Sequence, residues 1–180
     1  MTRIEVVLGD LTTQSVDAIV NPANSELLGG GGVDGAIRAA GGQVIYDECV
    51  ELRRTTWRHG LPTGEAVVTS AGALPAQWVI HTVGPRYGRH HGMEAALLAS
   101  CHRASLDLAW GVGARRVAFP AISCGVFGYP AQEAAPISVG AVQAYLEEHS
   151  TAFAEVRFVL LDDRMRTLFA DALTRRGSLA

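Results

Sequence analysis

The segment on which the interpretation of the whole chain depends is Val20-Asn-Pro-Ala-Asn-Ser-Glu-Leu-Leu-Gly-Gly-Gly-Gly-Val-Asp-Gly-Ala-Ile-Arg38. An apolar strand pattern runs into a polar loop and four adjacent glycines, and we expect a helix to begin at Asp34. Four adjacent glycines are costly in conformational entropy, and a surface turn does not need four. Backbone amides at a helix amino terminus bind anions such as phosphate. The segment therefore predicts an anion site, with a flexible surface loop as the alternative.

Gly30 to Gly35 also satisfies the GxGxxG pattern of dinucleotide-binding folds, in which the first glycine follows its strand through a tight turn. Here nine residues, among them Asn21 and Asn24, separate Val20 from Gly30. This spacing disfavours a nicotinamide-dependent dehydrogenase, and no cofactor is expected.

A second glycine-containing loop lies within Val117-Ala-Phe-Pro-Ala-Ile-Ser-Cys-Gly-Val-Phe-Gly-Tyr-Pro130. It also follows a buried strand pattern and precedes a helical pattern, and the ring of Phe127 is suited to cover a sugar. Two such loops, each at the carboxyl end of a strand, predict a phosphate-containing ligand held between them. Open α/β sheets bind their ligands in this crevice.

The composition excludes several classes of function. The chain has 180 residues, 48% of them hydrophobic and 18% charged, which suits one folded domain without a linker or repeat. All 15 basic residues are arginine, so a lysine Schiff base and a Walker-type phosphate-binding lysine are excluded. A net charge of −3 disfavours a protein that tracks nucleic-acid phosphates.

The cysteines and the apolar runs exclude further classes of protein. Cys49, Cys101 and Cys124 are far apart and form no CxxC pair, so neither a disulfide framework nor a zinc site is expected, and no metal is predicted. No apolar run approaches the roughly 18 residues of a membrane span, and the amino terminus lacks the apolar core of a signal peptide. We expect a cytoplasmic protein with no membrane partner.

Short β-branched runs alternate with longer helical patterns, which is typical of an α/β sheet covered by helices on both faces. Most strand patterns carry consecutive apolar residues, as strands buried on both faces do. Pro136 falls inside the fourth helical pattern, so that helix should begin near it or kink there. The predicted strands are Arg3–Leu8, Asp17–Val20, Glu65–Thr69, Trp78–Thr82, Arg116–Phe119 and Val156–Leu161; the predicted helices are Asp34–Ala40, Val44–Trp57, Met93–Trp110, Gln132–His149 and Arg164–Arg175.

From Ile4 to about Leu173 the sequence resembles the macro domain family, and within it the MacroD-type branch. The segments that carry the resemblance are Gly9–Thr12, Val20–Asn24, Leu28–Gly35, Pro62–Gly64, His81–Pro85 and Pro120–Pro130. The resemblance implies a single macro domain over residues 1–180 and a three-layer α/β/α sandwich with a mixed, mostly parallel central sheet. It also implies that the ligand is ADP-ribose.

The resemblance assigns residues to the adenine and the phosphates of that ligand. Asp10 resembles the carboxylate that accepts a hydrogen bond from the adenine amino group, with the Leu11 amide beside it, and Asp162 lies where the last strand of the family flanks the adenine. Leu161 stands where an aromatic residue often covers the adenine, and Cys124 replaces a commoner threonine. The implied diphosphate cradle consists of Gly32, Val33, Ser123, Cys124, Gly125 and Val126.

Asn24 and Asp34 match the catalytic pair that the branch uses at the distal ribose, and Phe127 resembles the aromatic residue that packs on this ribose. Arg38 stands where many members have histidine, so the role of that histidine is not transferred. A helix amino terminus stabilises an ionised carboxylate, which makes Asp34 a weak base at neutral pH. We therefore expect Asp34 and Asn24 to orient the ribose and a water molecule, with the phosphate of the substrate helping to position the water.

Simpler interpretations stay open for single residues. Asp34 as a helix cap and Asp10 as a cap of the following Leu-Thr-Thr turn are both structural alternatives. His81 lies in a buried strand pattern and is interpreted as a core histidine. His90-His91 is interpreted as a solvated loop, since further zinc ligands at suitable spacing are missing. Cys124 has no evident histidine partner that would make it a nucleophile.

The branch removes mono-ADP-ribose from Asp and Glu side chains of proteins and deacetylates O-acetyl-ADP-ribose. The resemblance therefore implies an ADP-ribosyl hydrolase, with ADP-ribose, ADP-ribosylated proteins and O-acetyl-ADP-ribose as its partners, and we expect a monomer. A non-catalytic ADP-ribose reader is the alternative, although a reader does not need both Asn24 and Asp34. Removal of ADP-ribose from nucleic-acid ends shares the chemistry, and the acidic pI neither supports nor excludes it.

Overall fold

The computed structural model describes residues 2–177, so residues 1 and 178–180 of the domain expected over 1–180 lie outside it. The strands are β1 (Arg3–Leu8), β2 (Ala18–Ala23), β3 (Ala66–Ser70), β4 (Trp78–Val83), β5 (Arg116–Phe119) and β6 (Glu155–Leu160). The helices are α1 (Gly32–Gly41), α2 (Gln43–Thr55), α3 (Glu94–Gly111), α4 (Ala131–Glu148) and α5 (Asp163–Gly177).

The six strands form one sheet with the order β1-β6-β5-β2-β4-β3. Neighbouring strands are parallel except β3, which pairs antiparallel with β4 at the edge. One apolar core packs α3, α4 and α5 against one face of the sheet, and a second packs α1 and α2 against the other. The central strands are almost fully buried, whereas the edge strands β1 and β3 are half-buried. The expected three-layer α/β/α sandwich is confirmed.

The ladder between the central strands β2 and β5 is the shortest in the sheet. The two strands are joined by two residue pairs, Ala18 with Val117 and Ile19 with Ala118. At their amino ends the Asp17 carboxylate accepts hydrogen bonds from the backbone amides of Arg115 and Arg116, at 2.9 and 2.8 Å. Toward the carboxyl ends the ladder stops, and Pro22, which has no N–H to donate, lies in this part of β2. A cleft therefore opens where the two strands separate.

All predicted strands and helices are confirmed; β1 and β5 match at both ends, and the ends of the other elements differ by at most three residues. The largest shift extends β2 from Val20 to Ala23, because pairing with β4 carries the strand through residues that are poor strand formers. The predicted start of α1 at Asp34 is wrong. The helix begins at Gly32, with Gly31 as the N-cap in an extended conformation.

The fourth helix begins near its proline, as predicted. α4 starts at Ala131, five residues before Pro136, so the ring lies within the second turn of the helix. The helices within residues 2–177 are also too short or too polar to cross a membrane.

Candidate active site

The cleft consists of two adjoining cavities at the carboxyl end of the sheet, of about 400 and 220 Å³. Loops that follow the parallel strands line it, because the carboxyl ends of parallel strands meet at one edge of a sheet. Both cavities are lined by Gly32, Val33, Ala121 and Gly125. Further predicted site residues lining the larger one are Asp10, Leu11, Cys124 and Asp162, and those lining the smaller one are Asp34, Ser123, Val126 and Phe127.

The amino terminus of α1 presents backbone amides at this cleft. Because Gly31 is the N-cap, the amides of Gly32, Val33 and Asp34 have no acceptor within the helix. Asp34 is the third helical residue and makes no capping hydrogen bond, so its interpretation as a helix cap is wrong. These amides and the positive end of the helix dipole form a site for an anion.

The loop after β5 supplies the opposing wall. Gly125 and Gly128 close a tight turn through a hydrogen bond of 3.0 Å, and the Tyr129 amide donates to the Ser123 carbonyl oxygen at 2.9 Å. Within residues 2–177, the amides of the two residues inside the turn, Val126 and Phe127, have no hydrogen-bond acceptor. The Val126 side chain is 95% exposed at the tip. The cleft therefore lies between two sets of unpaired amides.

Ser123 is the strained residue of this loop. Its φ of 67° lies in the left-handed region, its side chain is buried, and its Oγ atom has no partner within residues 2–177. A Cβ atom on Gly84, in the loop after β4, would lie 2.2 Å from Ser123 Oγ. Glycine at position 84 is therefore what lets the two loops approach each other at the wall of the smaller cavity.

Asp34 is held at the smaller cavity by two donors. Its Oδ1 atom accepts hydrogen bonds from Asn21 Nδ2 at 2.5 Å and from Arg38 Nε at 3.1 Å, and Oδ2 lies 3.3 Å from the same Nε. The Asp34 residue is 5% exposed. An arginine and an amide thus donate to this buried carboxylate and hold it in place at the cavity.

Behind Asp34 lies a chain of buried polar side chains. Asn21 Nδ2 is 3.0 Å from His81 Nδ1, and His81 Nε2 is 2.9 Å from Thr69 Oγ1. Burial, together with the nearby charge of Arg38, lowers the pKa of His81 to about 3, so this histidine is neutral. Its interpretation as a core histidine is confirmed. The Cys49 thiol lies 3.9 Å from His81 Nε2, and burial raises the pKa of this thiol.

Asn24 stands on the other side of the glycine run. Its Nδ2 donates to the Gly29 carbonyl oxygen at 3.0 Å, and its Oδ1 is buried without a partner within residues 2–177. A Cβ atom on Gly30 would lie 3.3 Å from Asp34 Oδ2 and 3.5 Å from Asn24 Nδ2. The two residues predicted to be catalytic are thus brought to the same glycine, although Asn24 is not in the lining of either cavity of the cleft.

At the far end of the larger cavity, two aspartates each cap a helical turn. Asp10 Oδ1 accepts from the Thr12 amide at 2.8 Å and from Thr12 Oγ1 at 2.7 Å, which confirms the cap interpretation. Asp162 Oδ1 accepts from the Met165 amide at 2.8 Å at the start of α5. Because both caps use Oδ1, the Oδ2 atom of each has no partner within residues 2–177 and is left to contact a ligand.

Phe127 is half-buried at the rim of the smaller cavity. The guanidinium carbon of Arg86 lies 4.5 Å from the centre of its ring, a cation–π contact. The Tyr87 amide donates to the Phe127 carbonyl oxygen at 2.9 Å, which ties this rim to the loop after β4.

The alternative chemistry considered for Cys124 and His90 is not supported by their surroundings. Burial raises the pKa of Cys124 to about 11, so the thiol is a poor nucleophile near neutral pH. His90 Nε2 accepts from the Arg86 amide at 3.1 Å. Within the described part of the chain, no three or more His, Cys, Asp or Glu side chains are grouped closely enough to hold a metal ion.

Sequence reasoning missed Asn21 and the role of Arg38. An arginine four residues after an aspartate on a helix is a standard ion-pair spacing, so the Asp34–Arg38 pair was detectable. Asn21 and His81 were detectable as polar residues inside apolar strands, which need buried partners. Gly84 carries no signal of this kind, since its role depends on how two loops approach.

The fold and the cleft define an α/β protein whose ligand site is lined by unpaired backbone amides. A sequence model of the Macro domain family matches residues 20–138. The chain is 51% identical over 173 residues to a macro domain-containing protein of Streptomyces griseus, covering 96% of each. It is 46% identical over 178 residues to the O-acetyl-ADP-ribose deacetylase of Citrobacter rodentium, covering 98% of each.

Two solved structures share the fold. The Oceanobacillus iheyensis macrodomain with ADP matches with a TM-score of 0.92 and 38% identity, over 96% of this chain and 90% of that one. The Trypanosoma brucei macrodomain in complex with ADP-ribose matches with a TM-score of 0.86 and 36% identity, over 95% of this chain and 69% of that one. The chain belongs to the macro domain family.

Proposed function

We propose that this macro domain binds ADP-ribose in the cleft and hydrolyses esters of its distal ribose. Two substrates share this linkage: O-acetyl-ADP-ribose, and ADP-ribose attached to Asp or Glu side chains of proteins. The observation that carries the proposal is the placement of Asp34, buried at the smaller cavity with Oδ1 held by Asn21 and Arg38. The similarity to an O-acetyl-ADP-ribose deacetylase supports it.

The ligand would lie along the cleft with its adenine at the Asp10 end. The Oδ2 atoms of Asp10 and Asp162 are available to the adenine, and the diphosphate would lie between the α1 amides and those of the loop after β5. The distal ribose would then occupy the smaller cavity beside Phe127. This orientation accounts for an anion site that contains no lysine, since backbone amides and helix ends replace side-chain cations.

Asp34 would orient the substrate and a water molecule instead of removing a proton. Its Oδ1 atom already accepts hydrogen bonds from Asn21 and Arg38, which hold the carboxylate in one orientation as a fixed acceptor for the substrate. Its Oδ2 atom, which has only the longer contact to Arg38, would accept from a ribose hydroxyl or from the water. Ester hydrolysis then gives ADP-ribose and the free carboxylic acid.

The test compares the wild-type protein with Asp34→Asn, which keeps the shape but removes the charge. Each is incubated with O-acetyl-ADP-ribose and with a glutamate-linked ADP-ribosylated protein, and free ADP-ribose is measured. We expect turnover to fall at least a hundredfold, with ADP-ribose affinity by calorimetry changed less than threefold. The matched control is Asp47→Asn on the exposed face of α2, which should behave as wild type.

Two results would count against the proposal. Full turnover by Asp34→Asn at unchanged affinity would remove the role of the carboxylate. Binding of ADP-ribose without turnover of either substrate by the wild-type protein would make the domain an ADP-ribose reader.

A further inference from the structure

The side chains behind Asp34 form a continuous path across the sheet to its antiparallel edge. Asn21 on β2 and His81 on β4 are register partners, so their side chains lie next to each other on the face covered by α1 and α2. Both residues are 0% exposed. Thr69 on β3 lies on the same face and contacts the far side of the imidazole. Burying three polar side chains here is costly unless each is hydrogen-bonded.

The hydrogens along this path have one consistent arrangement. The Thr69 hydroxyl donates to the Ser70 carbonyl oxygen at 3.0 Å, so it must accept from His81, whose proton is therefore on Nε2. Nδ1 of His81 is then an acceptor and takes one hydrogen of the Asn21 amide. The second hydrogen of that amide is donated to Asp34 Oδ1.

This arrangement decides which way the Asn21 amide faces. Turned over, its carbonyl oxygen would face the Asp34 carboxylate, with no proton between the two acceptors. An imidazole protonated on Nδ1 would favour that turned amide, because it would then be the donor. Because the Thr69 hydroxyl donates to the Ser70 carbonyl oxygen, it favours the other tautomer of His81. The orientation of the amide beside the carboxylate is thus set two side chains away.

Asn21 and Arg38 both donate to the Asp34 carboxylate, and Asn21 decides its rotation. The Nε atom of Arg38 lies 3.1 Å from one Asp34 oxygen and 3.3 Å from the other, and nothing in this contact alone favours one carboxylate rotation. The contact from Asn21 to Oδ1, at 2.5 Å, is the shorter and fixes which oxygen remains toward Gly30 and the cleft.

We propose that His81 is a positioning residue for the hydrolysis, which holds the Asp34 carboxylate in its reactive orientation through Asn21. This inference rests on the proposed function and names a further residue for it. His81 lines neither cavity of the cleft and touches no substrate, so its effect is on turnover and not on ADP-ribose binding. The neutral state that burial imposes keeps Nδ1 an acceptor across the physiological pH range.

Two substitutions of His81 separate positioning from packing. His81→Asn keeps an acceptor oxygen near the place of Nδ1 but is too short to reach Thr69. His81→Gln reaches Thr69 and matches the volume more closely, but it offers no acceptor where Nδ1 lies. The matched control is His102→Gln, since His102 is also 0% exposed but lies on α3 against the other face of the sheet.

The three variants are compared by kcat and KM on O-acetyl-ADP-ribose, by ADP-ribose affinity, and by the carboxyl ¹³C signal of Asp34 in the ligand-free protein. We expect His81→Gln to lower kcat about tenfold and shift the Asp34 signal, with ADP-ribose affinity changed less than twofold. His81→Asn should lose less than threefold in kcat. His102→Gln should leave kcat and the Asp34 signal as in wild type. Equal losses of kcat in His81→Gln and His102→Gln, or an unshifted Asp34 signal in His81→Gln, would overturn the proposal.

The carboxyl ¹³C signal of Asp34 tests this inference independently of activity. If the wild-type protein binds ADP-ribose but turns over neither substrate, the proposed function fails, whereas a shifted Asp34 signal in His81→Gln still supports the path from His81. If His81→Gln does not fold, Thr69→Val replaces it, because this change keeps the shape and removes the hydroxyl that selects the tautomer. An unshifted Asp34 signal in Thr69→Val would then refute the path.

Discussion

Arg38 lies one helical turn after Asp34 in α1, and its Nε atom is 3.1 Å from Asp34 Oδ1. The same guanidinium donates through Nη2 to the carbonyl oxygen of Leu27 at 2.9 Å. Leu27 has a φ of 60°, an unfavourable conformation for a leucine, in the loop that leads to the four glycines. Arg38 therefore connects the carboxylate at the cleft with the loop that enters it.

Replacing this arginine should destabilise the fold. Arg38→Met keeps most of the side-chain volume but leaves the buried Asp34 carboxylate without its ion-pair partner. Breaking one side of a buried pair costs about 3 kcal/mol, and we expect a loss of that size in the free energy of unfolding, measured with urea. In an Asp34→Asn background the same substitution should cost at least about 1 kcal/mol less, because no charge is stranded. Equal costs in the two backgrounds would show that the pair is not what Arg38 stabilises.

A side chain at Gly125 should block the ligand without harming the fold. A Cβ atom there meets nothing within 4 Å, yet Gly125 lines both cavities of the cleft. We expect Gly125→Val to weaken ADP-ribose binding at least tenfold, about 1.4 kcal/mol, in a calorimetric titration. Gly111→Val at the end of α3 is the control, since its added Cβ is equally unobstructed and lies in neither cavity. If both variants bind as wild type does, the phosphates do not approach Gly125.

The two oxygens of Asp10 should be separable by mutation. Asp10→Ala removes the cap on Thr12 and should lower the unfolding free energy by about 1 kcal/mol, in addition to weakening ADP-ribose binding. Asp10→Asn keeps the capping oxygen and should stay within about 0.5 kcal/mol of wild type, because asparagine caps as well as aspartate does. Its amide nitrogen then faces the base, which should reverse the preference from ADP-ribose to the hypoxanthine analogue. Competition between the two ligands measures this, and an unchanged preference would place the base elsewhere.

Acid should destabilise the domain through two buried histidines, His81 and His102. Burial lowers the pKa of His81 to about 3 and that of His102 to about 4, from the ordinary value of 6.5. Below pH 6.5 the unfolded chain binds protons that the native state does not. The stability linked to the neutral histidines is therefore complete above pH 6.5 and is lost as the pH falls toward these lower values.

Between pH 7 and pH 5 each of these histidines should lower the unfolding free energy by roughly 2 kcal/mol. Urea denaturation at the two pH values measures the difference, and His102→Gln should remove about half of it. A difference that is the same in wild type and in this variant would contradict the assignment.

The Asp17 carboxylate affects the stability of the domain in a lower pH range. Although its burial favours the protonated form, hydrogen bonds from the Arg115 and Arg116 amides hold its pKa below 3.8, so its contribution is lost only in stronger acid.

The elements of the fold were predictable because the buried strands carry unbroken apolar runs. The strand ends were predicted less well where pairing overrides local preference, as in the extension of β2 through Pro22 to Ala23. The start of α1 was misplaced because Asp34 has the residue type of a cap, whereas the glycine before the helix supplies the N-cap conformation.

The parts of the candidate site that consist of backbone amides were predictable. Loops rich in glycine at strand ends are visible in the sequence, and the residues predicted for the phosphate cradle do line the cleft. The environment of Asp34 was not predicted, because Asn21 and His81 are 60 residues apart and become neighbours only through the register of β2 with β4. Contacts of this kind depend on topology, which a local pattern does not contain.

The short ladder between β2 and β5 divides the sheet into two halves that are joined by two residue pairs. At the amino ends of the two strands, hydrogen bonds to the Asp17 carboxylate connect the halves. At the carboxyl ends the strands separate, and the cleft lies there. In the proposed binding mode, the ligand phosphates would bridge α1 and the loop after β5, so part of the binding free energy would stabilise the contact between the two halves of the sheet. We therefore expect bound ligand to slow amide hydrogen exchange in β2 and β5, away from the cleft itself.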